Sequence, residues 1–284
     1  MESATLRLVA FRELWIHTGT ACNLSCPFCH EGSSPADTRL PALTLAQVAP
    51  FLDEAAAQGV GEFAFTGGEP LILREILPVL KHALRLRPVL VLTNGMAPFI
   101  RKSHLLAELR QMPHALRFRI SIDWPDEARH DAGRGPKSFR KALEGLRLLH
   151  SAGFAVGITR QCEVGEQRQA VEARFRSMLR RQQLPDDMPV VSLPNLGLPT
   201  TQAIAGHSPA SDAGPRATIA PACTRSRMLL RRPEGLRFSP CPLVDDTPGL
   251  DMGDTLGAAL HAPARLLHTR CRICLERGVD YAGN

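Results

Sequence analysis

The chain has 284 residues, which at roughly 150 residues per domain fits one large domain, or one large and one small. Hydrophobic residues at 44% and charged residues at 22% exclude global disorder, and Gly 22 with Pro 23 but no G-X-Y period excludes a collagen. The charge balance of 34 Lys+Arg against 28 Asp+Glu leaves +6, including Arg225, Arg227, Arg231, Arg232 and Arg237 in one late stretch. Those arginines are not interleaved with stacking aromatics. The expectation is therefore a solvated face or one for a small anion, not a nucleic-acid surface. Apolar runs such as Val89–Leu92 fall far short of the roughly 20 residues of a membrane helix, and the opening MESATLRLVAFREL has no signal-peptide h-region. A cytoplasmic chain without a membrane partner is expected.

In chain order, Leu14–His17 reads as a short strand. Thr44–Gln58 reads as a helix with Thr44 as N-cap and Gly59 just past its end. Glu62–Phe65 is a strand running into the turn Gly67-Gly68-Glu69-Pro70, and Leu73–Leu86 is helical. Val89–Leu92 is an apolar strand ending at Thr93-Asn94-Gly95. A helix near Ser103–Arg110 leads to the strand Arg117–Ile122. Ser138–Ser151 is helical, Phe154–Thr159 a strand, Glu166–Arg181 a helix and Met188–Leu193 a strand. Six strands alternating with helices predict an α/β fold with a parallel sheet and right-handed crossovers. Residues 194–222, rich in Pro, Gly, Ser, Thr and Ala, read as a linker or long loop. Residues 223–284 show little periodicity beyond a helix near Thr255–Leu267.

The eight cysteines carry the chemistry. Without a secretory signal a disulfide framework is not expected, and clustered cysteines point to metal or redox work. Cys22, Cys26 and Cys29 form C-x3-C-x2-C in a loop directly after the first strand. Three thiolates can hold an iron–sulfur cubane and leave its fourth iron open. The competing reading is zinc completed by His30 or His17, but zinc ligands usually come as C-x2-C with a distant second pair. His17 and His30 flank the triplet, as packed residues or as proton relays.

Here the sequence resembles the radical S-adenosylmethionine (radical SAM) enzymes, whose motif is C-x3-C-x-aromatic-C, with Phe28 in the aromatic place. The Gly67-Gly68-Glu69-Pro70 turn lies where that family keeps a glycine-rich turn after its second strand. The resemblance implies a partial (β/α)6 TIM-type barrel over residues 1–193. It implies a [4Fe-4S] cluster on Cys22, Cys26 and Cys29, S-adenosylmethionine chelated at the open iron, and a 5′-deoxyadenosyl radical that takes hydrogen from substrate. It places Phe28 on the adenine side and the Gly67–Pro70 backbone near the cofactor's amino group. Asn94, Ser121 and Asp123 would hold ribose hydroxyls or the carboxylate, and Arg160 the carboxylate. The stretch from Asp123 through His130 and Asp131 to Arg134-Gly135 resembles the peptide-maturase and dehydrogenase branches, departing from their Asp-Gly pair at Trp124.

Cys223, Cys241, Cys271 and Cys274 form a looser quartet, two ligands flanking a possible hairpin and two in a C-x2-C. In isolation this suits structural zinc. Attached to this barrel, it resembles a twitch domain, a short SPASM-like extension over residues 223–284 with one auxiliary [4Fe-4S] cluster. Cys162 reads as a free buried thiol. Two reaction classes fit: oxidation of a small molecule, with the auxiliary cluster accepting the second electron, or modification of a ribosomally made peptide. From the early start of the barrel, no N-terminal leader-binding domain is expected in this chain, which favours a small molecule or a peptide presented by a separate protein. The resemblance also implies a reductant such as flavodoxin or ferredoxin. The rival class is a non-catalytic iron–sulfur or zinc binding protein.

Overall fold

The structure, a computed structural model, describes residues 4–163, 165–197, 219–244, 247 and 249–280. Most of the segment read as a linker, residues 198–218, lies outside the described residues. The short strand β1 (Thr5–Leu6) precedes β2 (Glu13–His17), whose five residues are all buried. The cysteine loop follows, then α1 (Leu45–Ala57), which the Thr44 hydroxyl caps by accepting from the Gln47 N–H while the Gln47 side chain accepts from the Thr44 N–H. Val48, Leu52 and Ala55 turn inward from this helix at a helical spacing.

The alternation then runs β3 (Glu62–Thr66), α2 (Ile76–Leu86), β4 (Val89–Thr93), α3 (Ser103–Arg110) and β5 (Leu116–Ser121). It continues through α4 (Glu127–Arg134), α5 (Ser138–Ser151), β6 (Ala155–Gln161), α6 (Arg168–Arg181) and β7 (Val190–Leu193). The helix α4 carries no sequence expectation. Only His130 on it is buried, so no apolar period announces it, and Asp126 starts it by accepting from the Arg129 N–H.

Strands β2 to β7 are parallel neighbours in chain order, the partial barrel of an α/β fold. The C-terminal residues add the hairpin β8 (Ser226–Arg232) and β9 (Gly235–Ser239), then α7 (Leu256–His261), β10 (Ala264–Arg265) and α8 (Thr269–Arg277). The helix anticipated near Thr255–Leu267 is thus one short turn of helix followed by a strand that pairs with β1. Strand β8 runs parallel to β2, with Glu13 opposite Ser226 and Ile16 opposite Leu229, so the C-terminal segment extends the barrel sheet. The driving force is the buried run Met228–Leu230, which covers the edge of β2 that would otherwise expose unpaired backbone.

Candidate active site

The C-terminal strand ends of the sheet open on one cavity. Its wall includes Cys22, Cys26 and Cys29 from the loop after β2, Gly67 and Gly68 after β3, Asn94 after β4, Ser121 and Asp123 after β5, and Thr159 and Arg160 on β6. Parallel strands bring these residues together because successive crossovers return every strand end to the same side.

The Cys22 loop is held from below by the glycine turn. The Gly68 N–H donates to the Gly19 carbonyl at 2.9 Å and the Glu69 N–H to the Ala21 carbonyl at 3.1 Å. A Cβ on Gly68 would lie 2.2 Å from the Ala21 oxygen, and Gly67 sits at φ +128° with Gly19 and Thr18 against it. Both glycines are therefore demanded by backbone approaching backbone, before any ligand is considered. Glu69 and Pro70 stand behind the cavity wall. The Glu69 carboxylate accepts from the Thr93 hydroxyl at 2.6 Å, the Asn94 N–H at 2.7 Å and the Leu71 N–H at 3.1 Å, tying two strand ends together. Burial pushes its carboxyl up, and those donors oppose the push. Pro70 opens the short turn that Glu69 caps.

Asn94 faces the cavity and donates to the Asn23 side chain at 2.7 Å, with Cys22 Sγ at 3.9 Å from the same nitrogen. The Leu24 N–H reaches Cys22 Sγ at 3.4 Å. Burial pushes the Cys22 thiol up to about 12 and raises Cys26 and Cys29 as well, with the Arg134 guanidinium pulling Cys26 back. Phe28 packs edge-on to Trp124 with ring centres 5.4 Å apart, and Arg134 lies over its other side at 5.5 Å. The Trp124 indole N–H donates to Glu163 at 3.0 Å.

Ser121 lines the cavity beside Asp123. Asp123 is buried and accepts from Arg134 at 2.5 Å and from the Gln161 N–H at 3.1 Å. Arg160 is fully buried, and its fork is taken by Glu166, which also holds the Glu163 N–H. A second guanidinium on the cavity wall is Arg134, at the end of α4 (Glu127–Arg134), named in the sequence only within a longer motif. Its neighbour Gly133 permits this, since a Cβ there would stand 2.7 Å from both Phe28 and Trp124.

His17 is buried with its Nδ1 accepting from the Gly19 N–H at 3.3 Å, so Nε2 carries the proton to Glu31 at 3.1 Å. Burial lowers His30 to about 4, and its Nε2 stands 3.7 Å from the other Glu31 oxygen. Thr159 contributes a buried hydroxyl without a hydrogen-bond partner among the described residues, on the cavity wall. Cys162 lies past this wall, 3.7 Å from Arg160, with burial pushing its thiol up to about 11.

The quartet assembles around the β8–β9 hairpin and α8. Cys223 stands just before β8 (Ser226–Arg232) and Cys241 just after β9 (Gly235–Ser239), so the hairpin closes its two ends on each other. Cys271 and Cys274 come from the first two turns of α8, and all four thiols line a second, smaller apolar cavity. Arg270 joins the two cysteine sets. Buried on α8, it donates to the His30 carbonyl at 2.6 Å, the Leu243 carbonyl at 2.9 Å and the Leu196 carbonyl at 3.2 Å.

The family profile of the radical SAM superfamily matches residues 16–162. The chain belongs to the radical SAM superfamily. An AdoMet-dependent heme synthase of Methanosarcina barkeri (strain Fusaro / DSM 804) is 32% identical over 136 residues, 47% of this chain and 37% of that protein. A PqqA peptide cyclase of Streptomyces rochei is 31% identical over 140 residues, 48% of this chain and 36% of that protein. The chain thus spans well under half the length of these relatives. A solved structure of native anSMEcpe with bound AdoMet shares the fold with a TM-score of 0.59 at 14% identity, covering 93% of this chain and 83% of that one.

Radical SAM proteins bind a [4Fe-4S] cluster and S-adenosylmethionine, and the cavity fits both. Cys22, Cys26 and Cys29, all on one loop, line this one cavity, and three thiolates are the donor set of a cubane with one iron left without a protein ligand. Beside them lie the buried Asn94, Asp123 and Thr159 and the half-buried Arg134, donors and acceptors of the kinds an amino-acid group and a ribose require. Among the described residues no helix is long and apolar enough to cross a membrane.

Proposed function

We propose that this chain reductively cleaves S-adenosylmethionine and uses the resulting radical to oxidise or otherwise modify a small molecule. The observation that carries the reading is the convergence of Cys22, Cys26 and Cys29 with Gly68 and a set of buried polar side chains on one strand-end cavity. When bound, the cluster and S-adenosylmethionine supply one-electron cleavage of a C–S bond to a 5′-deoxyadenosyl radical, which takes a hydrogen atom from substrate.

The chain's own residues hold and shield. Cys22, Cys26 and Cys29 hold the cluster, and each must shed a proton to do so, because burial keeps the free thiols protonated at neutral pH. Gly67 and Gly68 keep the cysteine loop close, and Glu69 with Pro70 fixes that turn from behind. Asn94, Ser121 and Asp123 take the ribose and carboxylate. Arg134 reinforces Asp123, and Arg134 and Arg160 both line the cavity as cations for the carboxylate. Phe28 and Trp124 wall off water on the adenine side.

Cys223, Cys241, Cys271 and Cys274, in a C-terminal unit over residues 223–284, would hold an auxiliary [4Fe-4S] cluster, which would supply an acceptor for the electron left on the substrate after hydrogen abstraction. A flavodoxin- or ferredoxin-like reductant in the cytoplasm would supply the separate electron that cleaves S-adenosylmethionine. A small substrate is supported by the charged side chains Asp123, Arg134 and Arg160 on the cavity wall and by the relative named for heme synthesis. The relative named as a peptide cyclase supports a peptide as the second reading.

Anaerobic reconstitution followed by measurement of 5′-deoxyadenosine from S-adenosylmethionine and dithionite tests the reading. Product formation is expected; a folded, iron-loaded chain that makes none would refute it. Replacing Cys271 and Cys274 with Ala should preserve this cleavage and abolish the oxidised product. Loss of both in parallel would reduce the quartet to a structural staple.

A further inference from the structure

We propose that Arg227 is the buried counter-charge of an anionic metal–thiolate centre at Cys223, Cys241, Cys271 and Cys274, and that its fixed positive charge sets the reduction potential of that centre. This rests on the reading of the quartet as an auxiliary iron–sulfur cluster.

Arg227 lies on β8 (Ser226–Arg232) with none of its surface exposed. Its guanidinium donates to the carbonyls of Cys223 at 2.7 Å, Ser226 at 2.8 Å, Ala259 at 2.7 Å and Ala262 at 3.2 Å. All four acceptors are neutral. Two of them close α7 (Leu256–His261), where the helix dipole adds only partial negative charge. No carboxylate forms an ion pair with Arg227 among the described residues. Two positions earlier, Arg225 has both Glu13 at 3.3 Å and Asp280 at 3.0 Å. Carbonyls solvate a buried cation but do not neutralise it, and an unpaired buried charge is among the costliest arrangements a core can hold.

The groups able to neutralise it are the thiols. Cys223, whose carbonyl Arg227 grips at 2.7 Å, stands at one end of the hairpin that carries Arg227, and Cys241 stands at the other end. Metal binding removes four protons and leaves a net negative centre. Arg227 is then paired, one hydrogen bond away from the chain that carries the first ligand. Reduction adds one more negative charge, which a fixed cation favours.

The experiment is a redox titration, followed by electron paramagnetic resonance, of the full chain reconstituted anaerobically, as wild type, Arg227→Met and Arg227→Lys. In Arg227→Met the C-terminal centre should become harder to reduce by at least tenfold at a given applied potential, about 59 mV downward for one electron. The potential of the Cys22, Cys26, Cys29 cluster should stay put. Arg227→Lys keeps the charge but loses the planar fork, so it should stay near wild type. Equal shifts in both variants, or none in Arg227→Met, would overturn the proposal. Should Arg227→Met fail to hold iron, retention of iron and potential in Arg227→Lys supports the charge, and loss of iron in both overturns it. Wild type carrying about four irons per chain rather than about eight, with zinc at the quartet, would overturn the reading of the centre itself. An unmoved potential at about eight irons would overturn only the role of Arg227.

Discussion

A methyl group on Gly68 would stand 2.2 Å from the carbonyl oxygen of Ala21, the residue before the first cluster cysteine. The glycine turn and the cysteine loop are thus two halves of one packed unit, joined by the hydrogen bonds of Gly68 to Gly19 and Glu69 to Ala21. A substitution in one half must be felt in the other.

Gly68→Ala should therefore lower iron at the triplet as well as affinity for S-adenosylmethionine, with a stability loss of about 1–3 kcal/mol from overpacking. Iron assay and isothermal titration on the reconstituted variant check this. Full iron with weakened cofactor binding would mean that the turn meets the ligand only.

Cys26→Ala should abolish 5′-deoxyadenosine formation while leaving the paramagnetic signal of the C-terminal centre. The two cysteine sets line separate cavities, so losing one thiol need not disturb the other site. Wild-type cleavage in this variant would remove the triplet from the mechanism.

Arg134→Met strips Asp123 of its buried partner, a loss of about 3–5 kcal/mol for a broken buried pair. Arg134→Lys keeps the charge but not the fork and should cost less. Both should weaken S-adenosylmethionine binding at least tenfold, read by titration at fixed iron content. Unchanged affinity in Arg134→Lys, with its iron intact, would assign the guanidinium to packing alone.

His130 provides a test by pH. Its ring is buried against Phe139, near Arg134, Asp123 and Asp131, and burial lowers it to about 4. Both ring nitrogens lack hydrogen-bond partners among the described residues. The unfolded state takes up a proton near 6.5 that the folded state resists, so stability is lost as pH falls from about 6.5 to about 4, by at most about 3 kcal/mol. His130→Phe should remove this component. The difference between the two proteins in denaturant titrations, followed across that window, isolates it, and parallel curves would contradict the assignment.

The barrel and the triplet were legible in the sequence for a local reason. Apart from α4, the alternating strands and helices announce themselves by their own apolar periods, and three cysteines within eight residues need only one loop to meet. Thr44 shows how little context such a signal needs, since its cap depends on Gln47 three residues away.

What only the tertiary structure decided depends on pairs far apart in the chain. Arg160 and Arg134 look alike in sequence, yet the first is buried against Glu166 and the second faces the cluster loop through Asp123 and Phe28. The C-terminal hairpin reads locally as a separate unit. Its place beside β2 follows from burying Met228–Leu230 against a strand more than 200 positions earlier. Arg227 looks like a surface charge in a basic stretch, and nothing in the sequence singles out Arg270. Their burial, and with it the contact of Arg270 with the His30 carbonyl, arises only when the sheet brings both cysteine sets together. Periodicity reports which face of an element is apolar, but not which distant backbone will come to satisfy a buried charge.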